Sequence, residues 1–548
     1  MNKEFNFSES VNQASALENY NLFSGDKPLK NALKANNGDW LNNKLETFGE
    51  LLGKVETIEL GNLANTFTPI LKTHDRYGNR IDAVEFHPAY HELMTLGIGN
   101  ECHCLPWTNP KKGAYAARAA LTYLRHQIDE GTSCPITMTF AVVPSLKIDE
   151  SVAKEWLPKI YSTEYDARFI PHFDKKGVTF GMGMTEPQGG SDVRVITTLA
   201  KKINQTGEYE IFGRKWFCSA PMSDAFLILA QSDKGLSCFL LPRFRPDGSK
   251  NAFYIQRLKD KLGNLSNASS EVEFHGARAQ IIGEEGRGVA NIMEMVRHTR
   301  LDCAIGSAGT LRKAVAEAIN HCSKRTAFGK LLLEQPLMKN VLADLALESE
   351  AATALAFRLS QGFDNSKENI QERNFVRIAT AIGKFWITKR AITVVAEALE
   401  CLGGNGYVEE SIMPRLYRDV PVNSIWEGSG NVQCLDVLRS MKKEPESMEA
   451  LMIELKAAKN LNKNYDAFLK NIEKELFDKS ALELRARRIV EKLALALQAG
   501  TLLKTTPEFV ADSFCNARLT NEMHLSFGTL SNSKNIDSLI ERANPHTH

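Results

Sequence analysis

The pattern of apolar and polar positions changes character twice along the chain, and those changes mark out an architecture. Residues 1 to 177 carry stretches of helical period, such as GAYAARAALTYLRHQIDEG, separated by loops rich in Gly, Pro and Asn. From Val178 the period shortens to apolar or alternating runs, VTFGMGM, EYEIFGRKWF, AFLILAQ, LSCFLLP and SSEVEFHG. Turn signals at Gly207, Asp233 to Gly235 and Asp247-Gly248 separate them. That spacing predicts a compact β domain over 178–283. Beyond GEEGRG the helical period returns and runs to about residue 440, in segments long enough for a bundle. A last helical segment, 441–548, carries one apolar stripe in Leu461, Tyr465, Phe468, Leu469, Ile472 and Leu476, and is expected to form a further C-terminal helical domain. The stretch Lys442 to Met448, KKEPESM, is charged and contains proline, as a linker would. The fold class expected is therefore mainly α with a central β domain.

Composition narrows the function classes. At 548 residues the chain is long enough for three or four domains and a large buried ligand. Lys plus Arg number 67 against 66 Asp plus Glu, so the overall charge draws the chain toward neither nucleic acid nor anionic lipid. No apolar run approaches the roughly 20 residues that span a bilayer, and the N-terminus lacks a signal-peptide core, so a cytoplasmic protein is expected. Ten scattered cysteines read as reduced, buried thiols. Cys102-His103-Cys104 has no second pair at zinc spacing, and Pro88 interrupts the turn between His87 and His91, so no metal is expected.

Two segments carry chemistry on their residues alone. Met182 to Val193, MGMTEPQGGSDV, follows a strand and gathers glycines and the hydroxyls of Thr185 and Ser191 into one turn. Its backbone can approach a ligand closely, or it can simply turn the chain. Ser424 to Asn431, SIWEGSGN, lodges Glu427 between apolar residues and glycines after Pro421. Apolar neighbours raise a carboxylate's pKa, as a general base requires, although one semi-buried glutamate also serves structure.

The first segment resembles the signature turn of the acyl-CoA dehydrogenase superfamily. Three more follow in family order: Lys215-Trp216-Phe217, Arg325 to Lys330 (RTAFGK) with Gln335 after it, and Leu402 to Tyr407 (LGGNGY). The resemblance implies a helical domain, a β-barrel middle domain and a helical bundle that hold FAD between subunits of a homotetramer. It implies FAD contacts from Met182, Met184, Thr185, Ser191, Trp216, Phe217, Cys218, Arg325, Phe328, Gly403, Gly404, Ile425, Trp426, Ser429 and Asn431. Glu427 would be the base that takes a proton from an acyl thioester while FAD accepts hydride. Cys218 stands where the family has a threonine hydroxyl, Glu400 where a glutamine is common and Ala327 where a hydroxyl is frequent, so those contacts are expected to differ.

The extended N-terminus and helical tail, with CPITMTF at 134–140 and RLKDKLGNLSNASSEVEF at 257–274, are similar to the alkylation-response, or AidB, branch of that superfamily. That likeness implies double-stranded DNA as a partner for the tail and a part in protection from alkylating agents. The tail holds 16 Lys plus Arg against 15 Asp plus Glu. Any DNA face must therefore come from local alignment, and Lys456, Lys459 and Lys463, like Arg485, Arg488 and Lys492, are spaced i, i+3, i+7, with Arg439 just upstream. Solvated helix faces balanced by Glu473, Glu475 and Glu491 are the alternative. Two functions stay open: an acyl-CoA dehydrogenating flavoenzyme, or a mainly DNA-binding protective protein with little turnover.

Overall fold

The computed structural model describes every residue except 1–10, 206, 479, 521–524, 532 and 548. Its first helices are α1 (Lys27–Ala35), α2 (Asn42–Gly53) and α3 (Val55–Thr66). After an antiparallel hairpin of β1 (Ile70–His74) and β2 (Arg80–Glu85) come α4 (Pro88–Gly99), α5 (Leu105–Thr108), α6 (Ala114–His126), α7 (Ser133–Ala141), α8 (Val143–Leu146) and α9 (Glu150–Ile160). The hairpin is an addition to the mainly helical reading of this half. Asp82 ties it to the barrel: its carboxylate accepts from the Ile255 amide of β8 at 2.8 Å, and its carbonyl accepts from buried Arg243 at 3.2 Å.

Seven strands make the middle unit: β3 (Phe180–Gly183), β4 (Leu199–Lys202), β5 (Glu208–Ser219), β6 (Ala225–Ser232), β7 (Gly235–Pro242), β8 (Phe253–Leu258) and β9 (Ser269–Ile281). Pairings run β6–β7–β9–β5–β4 and return to β6, closing a barrel, with β3 parallel to β6 and β8 on β9. Closure leaves few unpaired edges, and the barrel interior fills with residues such as Ile211, Phe226, Phe239, Ile255 and Phe274.

The long helices α10 (Gly288–Cys322), α11 (Pro336–Asn365) and α12 (Ile370–Cys401) form the bundle. A small hairpin of β10 (Thr326–Ala327) and β11 (Lys330–Leu331) joins the first two. Then follow α13 (Gly404–Tyr407), α14 (Met413–Asn423), α15 (Gly430–Lys443), α16 (Pro445–Lys456), α17 (Lys463–Phe477), α18 (Leu482–Thr505), α19 (Glu508–Arg518) and α20 (Ile536–Ala543). One apolar core runs without a break from Leu29 and Leu121 through Leu311, Leu355 and Ile382 to Leu451, Leu493, Phe514 and Ile540. The tail after residue 443 thus has no core of its own. The stretch read as a linker is a tight joint: α15 ends at Lys443, α16 starts at Pro445, and Ser440 and Ser447 are buried beside it. Of the predicted stripe, Tyr465, Leu469 and Ile472 are buried, but Leu461 precedes α17 and is exposed. Among the described residues no helix is long and apolar enough to cross a membrane.

Candidate active site

Glu427 sits in the turn between α14 and α15, in the left-handed backbone region at φ +57°, followed by Gly428 at φ +101°. A non-glycine residue there needs external support, and three side chains, from α10, α12 and the adjoining α15, provide it. Arg300 Nε donates to the Glu427 carbonyl at 3.0 Å, and Gln433 Nε2 donates to the carbonyls of Glu427 and Gly428 at 3.0 and 2.9 Å. Lys384 Nζ donates to the carbonyls of Trp426 and Gly428 at 2.8 and 2.6 Å. The carboxyl group itself accepts from Thr299 Oγ1 at 2.6 Å. Burial pushes the pKa of Glu427 above the ordinary glutamate value, while the Thr299 hydrogen bond and the charges of Lys384 and Arg300 pull it partway back. Burial also lowers Lys384, to about 8. Trp426 is anchored in turn: its Nε1 donates to Asn423 Oδ1 at 3.0 Å, and Asn423 donates to buried Glu130 at 3.1 Å.

Met182, Met184 and Trp426 pack against one apolar cluster with Cys134 and Met138, so the signature turn and the Glu427 turn meet at α7. The turn is clamped to β5. Buried Glu186 pairs with buried Lys215 at 2.7 Å and accepts from Thr198 Oγ1 at 2.5 Å and the Thr197 amide at 2.8 Å. Burial works to raise its pKa, but Lys215 and these donors outweigh it and hold Glu186 at about 2. The Thr185 carbonyl accepts from the Trp216 amide at 2.8 Å, while Ser191 is exposed.

Cys218 lies inside the barrel. The pairing of β5 with β9 shifts between Lys215 and Cys218, a bulge that turns both Trp216 and Phe217 outward and returns Cys218 to the barrel interior. Its thiol is fully buried there and pushed up to about 12 by that burial. The outward hydroxyl belongs to Ser219, whose Oγ lies 3.2 Å from Ser269 Oγ and within reach of the Cys134 thiol.

A second group of predicted residues converges on a cavity of about 310 Å³ lined by Arg325, Ala327, Glu400, Gly403, Gly404 and Asn405. A Cβ added at Gly403 or Gly404 would meet nothing within 4 Å, so backbone faces the opening directly. Arg325 also donates to the Asn12 carbonyl, and Phe328, at φ +51° on the tip of the β10–β11 hairpin, is 99% exposed.

Ile425 is exposed beside Trp426, Ser429 is the N-cap of α15, and Asn431 in its first turn accepts from Arg487 of α18 at 2.8 Å. The two basic triplets of the tail fare differently. Arg485, Arg488 and Lys492 do share α18, but all three converge on Glu475 of α17. Lys456, Lys459 and Lys463 do not share a helix face: Lys456 ends α16 and pairs with Glu473, Lys459 lies in the turn, and Lys463 opens α17. Arg439 is exposed on α15. Among the described residues no group of His, Cys, Asp and Glu could hold a metal ion.

Comparison with known proteins bears on this geometry. The family model of the adaptive response protein AidB N-terminal domain matches residues 12–167. Models of the acyl-CoA dehydrogenase middle and C-terminal domains match 181–277 and 286–442. The putative acyl-CoA dehydrogenase AidB of Escherichia coli (strain K12) is 44% identical over 510 residues, covering 93% of this chain and 94% of that protein. The chain belongs to the acyl-CoA dehydrogenase family, in its AidB branch. It is accordingly a flavin-dependent oxidoreductase whose cofactor is FAD. Acyl-CoA dehydrogenase family member 11 of Caenorhabditis elegans is 30% identical over 90% of this chain and 82% of that protein. A crystal structure of Caenorhabditis elegans ACDH-11 in complex with C11-CoA superimposes with a TM-score of 0.86 at 26% identity, over 95% of each chain. The residues present fit FAD: a glycine-floored cavity beside Arg325, and an outward hydroxyl and aromatic pair on β5.

Sequence reasoning missed Thr299, Arg300, Lys384, Gln433 and Ser219. The first three lie in the interiors of long helices, where nothing local distinguishes a functional polar residue from one satisfied in a core. Gln433 and Ser219 lie within a few residues of motifs that were read.

Proposed function

We propose that the chain dehydrogenates an acyl-CoA thioester, with Glu427 as the base that removes the α proton. The observation that carries this reading is the Glu427 carboxyl group, buried, bonded by Thr299 at 2.6 Å and set in a turn whose carbonyls are held by Arg300, Lys384 and Gln433. Bound FAD supplies the acceptor for the hydride that leaves the β carbon. Glu427 holds the proton at its carboxyl oxygen, and the rigid turn keeps that oxygen in one place while the α carbon is presented. Met182, Met184 and Trp426 exclude water from the same corner. Phe217 and Ser219, outward on β5, would hold the flavin ring, and Arg325, Gly403, Gly404, Ser429 and Asn431 would hold the rest of the dinucleotide. The C11-CoA bound to the nematode relative supports an acyl-CoA substrate. Replacing Glu427 by Gln tests the assignment: flavin reduction by acyl-CoA in a single turnover is lost while FAD stays bound. A variant that reduces its flavin at the wild-type rate would move the base elsewhere.

We further propose a homotetramer in which the hairpin bearing Phe328 reaches the neighbouring subunit's FAD. An aromatic ring 99% exposed beside the cofactor cavity is costly in water and supports that contact. Association with double-stranded DNA and a part in the alkylation response belong to the same proposal, supported by the AidB likeness and by Arg439, Lys459 and Lys463, which are exposed and make no ion pair among the described residues. Ten buried, unpaired cysteines support a reducing cytoplasm as the setting.

A further inference from the structure

Two cations stand over the start of α15 without a carboxylate partner among the described residues. Arg487, on α18, donates Nε to Asn431 Oδ1 at 2.8 Å, and the rest of its exposed guanidinium makes no ion pair. Lys389, on α12, lies against the Gly430 backbone: a Cβ added to Gly430 would sit 2.7 Å from Lys389 Cε and 3.3 Å from Nζ. It makes no hydrogen bond or ion pair among the described residues, only a distant approach to the Phe385 ring. The other cations around the flavin loop are engaged. Arg300 and Arg377 share Asp436, and Lys384 is bound to two carbonyls. The acidic residues of α18, Glu483 and Glu491, form no ion pair with Arg487 although they stand one helical turn away on either side.

The two cations are close enough to repel each other: after burial, the charge of Arg487 is the next cause that lowers the Lys389 pKa. Like charges held together beside a backbone with no side chain at Gly430 form an arrangement that an anion relieves. With the flavin ring near Glu427, as proposed above, the rest of the cofactor would extend along this same loop.

We infer that Lys389 and Arg487 bind the diphosphate of FAD, so that the C-terminal extension completes the cofactor site begun by Ser429 and Asn431. This rests on the reading of that loop as the FAD site. Phosphate oxygens accept charge-assisted hydrogen bonds from guanidinium and ammonium groups, and Arg487 is already oriented by Asn431 to give them.

The test is titration of the full-length apoprotein with FAD and with riboflavin, which lacks the diphosphate, read by quenching of flavin fluorescence. Lys389→Gln and Arg487→Gln should each weaken FAD about tenfold, and together by more, while riboflavin affinity stays as in the wild type. Arg487→Lys should recover part of the loss. Added salt should weaken wild-type FAD binding and leave riboflavin unaffected, a comparison that needs no variant. An FAD affinity in the double variant within twofold of the wild type overturns the inference, as does an equal loss for riboflavin. Loss of duplex DNA binding with FAD affinity intact overturns it too, and gives the cations to DNA. A wild type that binds neither flavin would instead remove the reading of the Glu427 loop, which separates the two failures.

Discussion

Thr299 gives its hydroxyl to the Glu427 carboxyl group, the proposed base, and two effects on that group oppose each other. Burial raises the Glu427 pKa, toward the working pH of a base, and the Thr299 bond lowers it. Only the deprotonated form is a base, so the rate falls as pH falls through this pKa. Thr299→Val removes a lowering cause and keeps the shape of the side chain. The acidic limb of the pH profile for kcat should therefore move to higher pH, with the alkaline plateau largely retained. A limb that stays put or moves to lower pH would show that the hydroxyl does not bond the ionised carboxylate in the working enzyme. The same residue shows a limit of sequence reading. Glu427 could be singled out as a candidate from the apolar setting of Ile425 and Trp426 together with the family motif. Thr299 lies 128 positions away in a helix whose residues are nearly all buried, and only the fold brings them together.

Between elements, the clamp of the signature turn onto β5 is an ion pair sealed from solvent, Glu186 with Lys215 at 2.7 Å. Removing one partner leaves an uncompensated buried charge, so Lys215→Met should cost about 3–5 kcal/mol of stability near neutral pH. Glu186 is held at about 2 in the folded chain, below the roughly 4.3 of an unfolded glutamate. A depressed carboxylate contributes its stability above the unfolded value and loses it as pH falls toward the folded one. The gap in melting temperature between wild type and variant should thus be widest above about pH 5 and close toward pH 2. A gap independent of pH would assign the loss to packing alone. Much of this element was legible: the alternation of β5, the glycine-rich turn after β3 and the family order of the motifs all pointed to a barrel carrying a flavin. The bulge was not. Alternation read through Lys215-Trp216-Phe217-Cys218 has no mark for an inserted residue, and one inserted residue exchanges the faces of everything beyond it. Cys218 was expected at the ligand because it stands where the family has a threonine, and the bulge leaves Ser219 on the outward face.

Across the whole molecule, the tail is bound into the bundle rather than appended to it. Arg518 pairs with Asp344 and Glu348 of α11, Arg542 with Glu350, and Trp386 donates to Gln498 at 2.9 Å. Cutting the chain after residue 443 would expose apolar core along α11 and α12, so a truncation reports on folding before it reports on DNA. Point charges are the sound test, and the ion pairs sort them. Arg485, Arg488 and Lys492 neutralise Glu475 between α17 and α18, and replacing all three by Gln should lower the melting temperature whatever they do to DNA. Arg439, Lys459 and Lys463 are exposed and make no ion pair among the described residues, so their replacement by Gln should leave the melting temperature unchanged. If the tail tracks a duplex through these free cations, the plot of log affinity against log salt should flatten by about 0.9 for each one that met a phosphate. Binding would weaken alike for unrelated sequences, because phosphate contacts carry no base information. An unchanged slope in a variant that melts with the wild type would take Arg439, Lys459 and Lys463 out of the DNA site.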